Sequence, residues 1–119
     1  GVCSLKPGIK GVSDNIEVRS IIGRYLEHTR VYMFENGGNQ EVYASSADLM
    51  SRNMFRRVEV GFPIESKRLK QRILDDLDCY LQDNSQAWLM QSDGSYVQCV
   101  PEDDVFRVQN KLMEQYSVK

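Results

Sequence analysis

His28 is the one histidine of this 119-residue sequence, and Arg30 follows it two positions later. Side chains two positions apart in an extended segment point to the same side, so the imidazole and the guanidinium should be neighbours. An imidazole with an ordinary pKa of about 6.5 can act as a nucleophile or a proton donor at neutral pH. An adjacent guanidinium can hold a phosphate oxygen pair. The two residues therefore predict a site that handles phosphate groups.

Three more arginines lie close together around a polar turn: Arg52, Arg56 and Arg57. A guanidinium carries a permanent charge and a planar set of donors that matches phosphate oxygens. Together with Arg30, these side chains could line a path for a polyanionic chain. The alternative for Arg56 and Arg57 is a solvated pair on the surface before a strand.

Short polar and acidic side chains complete the candidate site. Ser46 and Asn53 could donate hydrogen bonds to phosphate oxygens or hold His28 in one tautomer. Ser46 could instead cap a turn that begins at Asp48. Either Glu35 or Asp48 could be the carboxylate that orients His28, and the sequence alone leaves both open.

The composition is that of an ordinary globular domain, with 41% apolar and 27% charged residues. A net charge of −2, with most of the acidic excess in the second half, argues against a general nucleic-acid binder. Cys3, Cys79 and Cys99 lack the spacing of a zinc site, so we expect reduced structural cysteines and no metal ligands. No apolar run reaches the roughly 20 residues that a membrane span needs, which predicts no membrane insertion.

Hydrophobic periodicity and turn residues predict the order β-α-β-β-β-α-β-β-α. Asp14 and Glu17 have the spacing of a capping box, which predicts a helix from Asp14 to about residue 26 and places His28 at a helix-to-strand junction. The predicted fold class is α/β or α+β, with a mixed sheet flanked by helices. The other predicted elements are strands at 2–5, 30–34, 41–44, 57–62, 87–91 and 96–100, a helical turn at 48–53, and helices at 66–81 and 105–116.

The spacing of the polar residues resembles one half of the phospholipase-D signature, His-x-Lys-x4-Asp followed by Gly-Ser-x-Asn. The matching residues are His28, Arg30, Glu35, Ser45, Ser46 and Asp48. Only the histidine and the serine are unchanged, and the turn between the two parts is about three residues longer. The resemblance implies a phospholipase-D-like half.

The flanking sequence resembles the C-terminal domain of bacterial polyphosphate kinases over nearly the whole chain, most clearly before residue 82. The resemblance rests on residues 5–9, 18–30, 34–37, 46–53 and 56–64. It implies reversible transfer of the terminal phosphoryl group of ATP onto inorganic polyphosphate. In that family a histidine of the preceding domain becomes the phosphohistidine, and His28 matches the histidine that assists it as a general acid/base and phosphate contact.

The resemblance also implies partners and an organisation. ATP and Mg²⁺ would be bound mainly by other parts of the chain, because the family has an ATP-contacting arginine just before the position of Gly1. We therefore expect residues 1–119 to be the C-terminal piece of a larger phosphoprotein and to be inactive alone. The full-length protein is expected to be a homo-oligomer in the cytoplasm, with peripheral association at the inner membrane as an alternative location. The alternatives are a phospholipase-D-like phosphodiesterase or nuclease acting as a dimer, and a non-catalytic interaction domain.

Overall fold

The computed structural model describes residues 3–118, which belong to two compact units. One unit comprises residues 26–77, and the other comprises the described parts of 1–25 and 78–119. Both combine helices with antiparallel strands, so the predicted helix-and-sheet class is confirmed. The expected mixed sheet is replaced by two three-stranded antiparallel sheets, one in each unit.

The sheet of the 26–77 unit has the order β2 (Val31–Phe34), β3 (Glu41–Ser45) and β4 (Gly61–Pro63). Its first two strands are a hairpin in which Val31 pairs with Ala44. The short 3₁₀ turn Asn36–Gly38 joins them, and its residues have φ angles of 45°, 62° and 93°. Such angles cost glycine nothing and asparagine little, which is why this sequence can reverse the chain there.

Two helices follow in the same part of the chain. Helix α1 (Ser51–Arg56) connects β3 to β4, and its buried residue is Asn53. Helix α2 (Lys67–Gln82) begins after Ser66, whose hydroxyl accepts a hydrogen bond from the Leu69 amide at 3.5 Å and so caps the helix. The buried apolar residues of this unit are Val42 and Ala47, so its core is small.

The other unit contains β1 (Arg19–Ile21), β5 (Ala87–Met90) and β6 (Tyr96–Gln98), with β5 in the centre of the sheet. A turn at Gly94, with φ of 88°, closes the predicted hairpin between β5 and β6. Helix α3 (Val108–Tyr116) completes the unit. Ala87 and Val108 are each 0% exposed and form its apolar centre.

The predicted helix from Asp14 is wrong, because residues 16–18 are irregular and 19–21 form strand β1. The Asp14 carboxylate accepts a hydrogen bond from the Gly11 amide at 3.1 Å, so it stabilises the preceding turn instead of capping a helix. Antiparallel pairing of β1 with β5 then outweighs the local helical pattern. His28 consequently lies in an irregular segment, 22–30, before β2, and not at a helix-to-strand junction.

Several predicted boundaries also move. Residues 3–5 are not a strand, and residue 2 lies outside the described part of the chain. The helical turn expected at 48–53 is α1, at 51–56, and regular pairing of the strand expected at 57–62 covers only Gly61–Pro63. Helix α3 begins at Val108 and not at 105, because the carboxylate of Asp83 accepts from the Val108 amide at 2.9 Å and caps the helix there.

Candidate active site

The segment before β2 presents His28 to solvent. Its side chain is exposed and forms no hydrogen bond or ion pair with the residues described, 3–118. The backbone oxygen of His28 accepts a hydrogen bond from Nη1 of Arg30 at 3.1 Å. The main chain at His28 is therefore held by Arg30, while the imidazole remains available to a ligand.

Arg30 is shared between this backbone contact and the carboxylate of Asp48. Its Nε donates to Oδ1 of Asp48 at 2.7 Å, and the two side chains are 30% and 39% exposed. The sequence predicts that the Arg30 guanidinium binds a pair of phosphate oxygens. In the structure two of its nitrogens, Nε and Nη1, already donate to protein oxygens. Only Nη2 and the remaining Nη1 proton of Arg30 can turn to a phosphate without breaking the pair with Asp48.

The Arg30 pair fixes the charge of both partners. The hydrogen bond from Arg30 lowers the pKa of Asp48, and the positive charges of Arg30, Arg52 and His28 lower it further against the opposing effect of burial. The same hydrogen bond raises the pKa of Arg30. Glu35, the other carboxylate left open by the sequence, accepts from Gln40 at 2.8 Å in the turn after β2. Asp48 is thus the carboxylate that the structure couples electrostatically to His28.

Glu59 is a site residue that the sequence analysis missed. Its two carboxylate oxygens accept hydrogen bonds from the Ser46 hydroxyl at 2.5 Å and from Nδ2 of Asn53 at 2.8 Å. These two bonds lower the pKa of Glu59, and the charges of Arg57 and Arg30 lower it further against the opposing effect of burial. Glu59 therefore stays ionised and gathers the two polar side chains that were predicted to contact phosphate.

The contacts of Glu59 change what Ser46 and Asn53 can offer a ligand. The Ser46 hydroxyl donates to Glu59 and accepts from the Val60 amide at 3.0 Å, so its one proton is already used within the protein. Asn53 is 4% exposed, and its buried Oδ1 has no hydrogen-bond partner among residues 3–118. The structure places both side chains in the wall of the site and leaves Asn53 with one unsatisfied acceptor.

The local sequence pattern points away from the observed role of Glu59. Alternation along an extended segment places Glu59 on the side opposite Val58 and Val60, which are 100% and 63% exposed. Hydrophobic patterning assigns the valines to the interior and the glutamate to solvent, which is the reverse of the observed arrangement. A carboxylate flanked by apolar residues can be recognised as inward-facing only when its donors, Ser46 and Asn53, are known.

Three further arginines lie in or directly after α1. Arg52 and Arg56 lie in α1, Arg57 follows it directly, and all three are exposed. Within residues 3–118 none of the three has a carboxylate within ion-pair distance. Arg52 acts on Asp48 and Arg57 acts on Glu59 through their charge alone. These uncommitted cations give the 26–77 unit the capacity to bind a polyanion.

Neither carboxylate of the site is arranged as a ligand for a divalent cation. Asp48 is paired with Arg30, and Glu59 is bonded by Ser46 and Asn53. No group of three or more histidine, cysteine, aspartate or glutamate side chains within residues 3–118 is placed to hold a metal ion. No helix in that range is long and apolar enough to cross a bilayer.

Comparison with known proteins identifies the family. A family model described as polyphosphate kinase C-terminal domain 2 matches residues 1–109. The chain belongs to this family. A polyphosphate kinase of Pseudomonas aeruginosa is 58% identical over 101 residues, which cover 85% of this chain and 15% of that protein. One of Pseudomonas putida is 53% identical over 119 residues, covering 98% of this chain and 16% of that protein.

A solved structure gives the same assignment. The crystal structure of polyphosphate kinase from Porphyromonas gingivalis matches with a TM-score of 0.91 and 34% sequence identity, over 97% of this chain and 18% of that one. The polyphosphate kinase domain described here thus spans about 15% of the length of its curated relatives. The resemblance to polyphosphate kinases seen in the sequence is confirmed.

Proposed function

We propose that this domain forms one wall of the phosphoryl-transfer site of a polyphosphate kinase. The reaction moves the terminal phosphoryl group of ATP onto inorganic polyphosphate, and the reverse. The observation that carries the proposal is an exposed His28 without a side-chain partner in residues 3–118, beside the Arg30–Asp48 pair and in the same compact unit as three exposed arginines.

His28 would act as a general acid/base and phosphate contact, while the phosphohistidine lies in a preceding part of the chain. When the terminal phosphoryl group passes from ATP to that histidine, its bond to the leaving oxygen of ADP breaks and a bond to the histidine nitrogen forms. The imidazolium of His28 would donate a proton to the ADP oxygen, and the neutral imidazole would take it back in the reverse step. Positioned proton transfer of this kind contributes about 10²–10⁴-fold to rate.

The arginines would supply electrostatic stabilisation. Charge spreads over the oxygens of the transferred group, and fixed cations lower the energy of that state. Arg30 is held in place by Asp48 and so acts without reorganising. Arg52, Arg56 and Arg57 would track the polyphosphate chain. Ser46 and Asn53, both bonded to Glu59, would shape the wall, and Ser46 would donate to phosphate only if its bond to Glu59 is exchanged.

ATP and Mg²⁺ would be held mainly by parts of the protein outside these residues. Mg²⁺ supplies charge neutralisation between phosphate oxygens, and neither Asp48 nor Glu59 is free to ligate it. The proposal includes a homo-oligomeric full-length enzyme that works in the cytoplasm. A peripheral association with the inner membrane is part of the same expectation.

The test is His28→Ala in the full-length protein that carries this domain, compared with Thr29→Ala as a matched control in the same exposed segment. Synthesis of polyphosphate from ATP should fall by about 10²–10⁴-fold for His28→Ala and remain near wild type for the control. Retention of more than about a tenth of the activity, or under about 1.4 kcal/mol of barrier, would contradict a central role for His28. Hydrolysis of a model phosphodiester by the same protein, lost with His28, would favour the phosphodiesterase alternative.

A further inference from the structure

The side chain of Arg30 links the irregular segment that carries His28 to the turn after β3. Nη1 of Arg30 donates to the His28 carbonyl at 3.1 Å, and Nε donates to Oδ1 of Asp48 at 2.7 Å. All of these residues belong to the 26–77 unit. Residues 26–29 are neither helix nor strand, so the position of their main chain depends on contacts of this kind.

The turn that carries Asp48 is held by hydrogen bonds on both sides of that residue. Ala47, directly before it, is 5% exposed. The Ala47 amide donates to the Ser45 hydroxyl at 3.0 Å, and its carbonyl accepts from the Tyr32 hydroxyl at 3.2 Å. The Asp48 carbonyl accepts from the Met50 amide at 2.8 Å. The carboxylate of Asp48 therefore projects from a backbone that is fixed to β2 and β3.

Asp48 provides the stronger of the two restraints on the Arg30 guanidinium. The bond from Nε joins two opposite charges at 2.7 Å, whereas the bond from Nη1 reaches a neutral carbonyl at 3.1 Å. Hydrogen bonds between charged partners are shorter and stronger than those to neutral ones. An arginine side chain has many rotamers, so without the carboxylate the guanidinium would sample positions away from the His28 carbonyl.

A group that transfers a proton must be placed accurately, because a displacement of about 1 Å can cost about 10²-fold in rate. We propose that Asp48 is a positioning residue for His28 and that it acts through Arg30. By holding Nε, Asp48 keeps Nη1 on the His28 carbonyl and so fixes the main chain from which the imidazole projects. The inference rests on the proposed function, in which His28 transfers the proton.

Two substitutions of Asp48 in the full-length enzyme test the inference. Both Asp48→Ala and Asp48→Asn remove the negative charge, but only asparagine keeps an oxygen that can accept from Nε of Arg30. We expect kcat for polyphosphate synthesis to fall at least about tenfold in Asp48→Ala and to stay within about threefold of wild type in Asp48→Asn. KM for ATP should change less than about twofold in both, because the interaction removed does not bind ATP.

The direction of the effect separates positioning from a general change of charge. Loss of a negative charge next to Arg30 should by itself favour a polyanion, so charge alone predicts that neither variant binds polyphosphate more weakly or reacts more slowly. A fall in kcat for Asp48→Ala that Asp48→Asn does not share therefore reports the lost acceptor. Asp75→Ala is the matched control and should behave as wild type, because Asp75 is an exposed carboxylate of the same unit that accepts from Gln71 at 2.8 Å.

A readout at His28 itself completes the test. Diethyl pyrocarbonate modifies the imidazole, and the rate is followed on the His28 peptide by mass spectrometry. This rate should change by more than about twofold in Asp48→Ala, where the main chain is released, and by less in Asp48→Asn. A loss of kcat per folded molecule smaller than about tenfold in Asp48→Ala, or equal losses in the two variants, would overturn the inference and leave the proposed function intact. Full activity of His28→Ala would instead overturn the proposed function.

Discussion

Asp83 is expected to be the most costly carboxylate of the domain to remove. Its side chain is 1% exposed and accepts from four backbone amides: Ser85, Gln86 and Ala87 on Oδ1, at 3.1, 2.7 and 2.9 Å, and Val108 on Oδ2, at 2.9 Å. Asp83→Ala would leave the amides of Ala87 and Val108 in a dry interior. Each buried donor left unsatisfied costs about 1–3 kcal/mol, so the unit should lose about 2–6 kcal/mol.

Hydrogen exchange in the full-length protein measures this loss where it occurs. A free energy of opening lower by about 3 kcal/mol corresponds to exchange faster by about a hundredfold in the peptides that contain Ala87 and Val108. Peptides of the 26–77 unit serve as an internal reference. Asp93→Ala is the matched control, because Asp93 also accepts a backbone amide, that of Ser95 at 2.9 Å, but in an exposed turn. Equal exchange rates in the two variants would refute the hydrogen-bond accounting.

Three further outcomes are expected. Gly23→Ala should disrupt the hydrogen bond from the Tyr25 amide to Oε1 of Gln109, because the new Cβ would lie 2.3 Å from that oxygen. Exchange of the Tyr25 amide should then accelerate more than exchange of the peptide around residue 37 does in Gly37→Ala. Equal effects of the two substitutions would refute the close fit at Gly23. The fold lowers the pKa of Asp48 and of Glu59, so the ionised carboxylates stabilise the folded state. This contribution is complete above the ordinary carboxylate pKa and is lost as the pH falls through the lowered pKa values. Protection of peptides covering 45–60, taken relative to the intrinsic exchange rate at each pH, should therefore fall only below about pH 4, and a loss of protection near neutral pH would contradict the assignment. Arg57→Ala should weaken binding of long-chain polyphosphate to the full-length protein and reduce its salt dependence, whereas a salt-insensitive affinity would count against an arginine-lined path.

Local sequence patterns correctly predicted the helices and strands that are formed by residues close together in the sequence. The Asn-Gly-Gly turn and the hairpin strands of β2 and β3 appear where the sequence places them, and so does α2 after Ser66. The Asp14 to Glu17 capping box failed because pairing of β1 with β5 joins residues about 70 positions apart, as in Arg19 with Leu89. Nothing within a window of helical length reports that pairing, so a helix was the better prediction from local information.

The sequence predicted that the candidate residues lie close together better than it predicted which of them contact one another. The residues from His28 to Arg57 do fall within one compact unit, and Arg30 does lie beside His28. The sequence left open whether Glu35 or Asp48 orients His28. Asp48 accepts from Arg30 and Glu35 accepts from Gln40, and neither accepts a hydrogen bond from the imidazole among residues 3–118. Glu59 was missed because its partners lie 13 and 6 positions away in sequence.

Asp83 and Glu59 both accept several hydrogen bonds, but Asp83 accepts them from backbone amides and Glu59 from side chains. We therefore expect the loss of Asp83 to affect stability and the loss of Glu59 to affect activity. Asp83 gathers backbone amides, so its loss should open the unit whatever chemistry the enzyme performs. Glu59 gathers the side chains of Ser46 and Asn53, in an exposed part of the 26–77 unit that contains the arginines. Glu59→Gln keeps the size of the residue and removes its charge, so it should release Ser46 and alter kcat while leaving exchange near Ala87 unchanged. Asp83→Ala is expected to accelerate exchange near Ala87. If Glu59→Gln did the same, Glu59 would stabilise the fold, and its effect on phosphoryl transfer would be indirect.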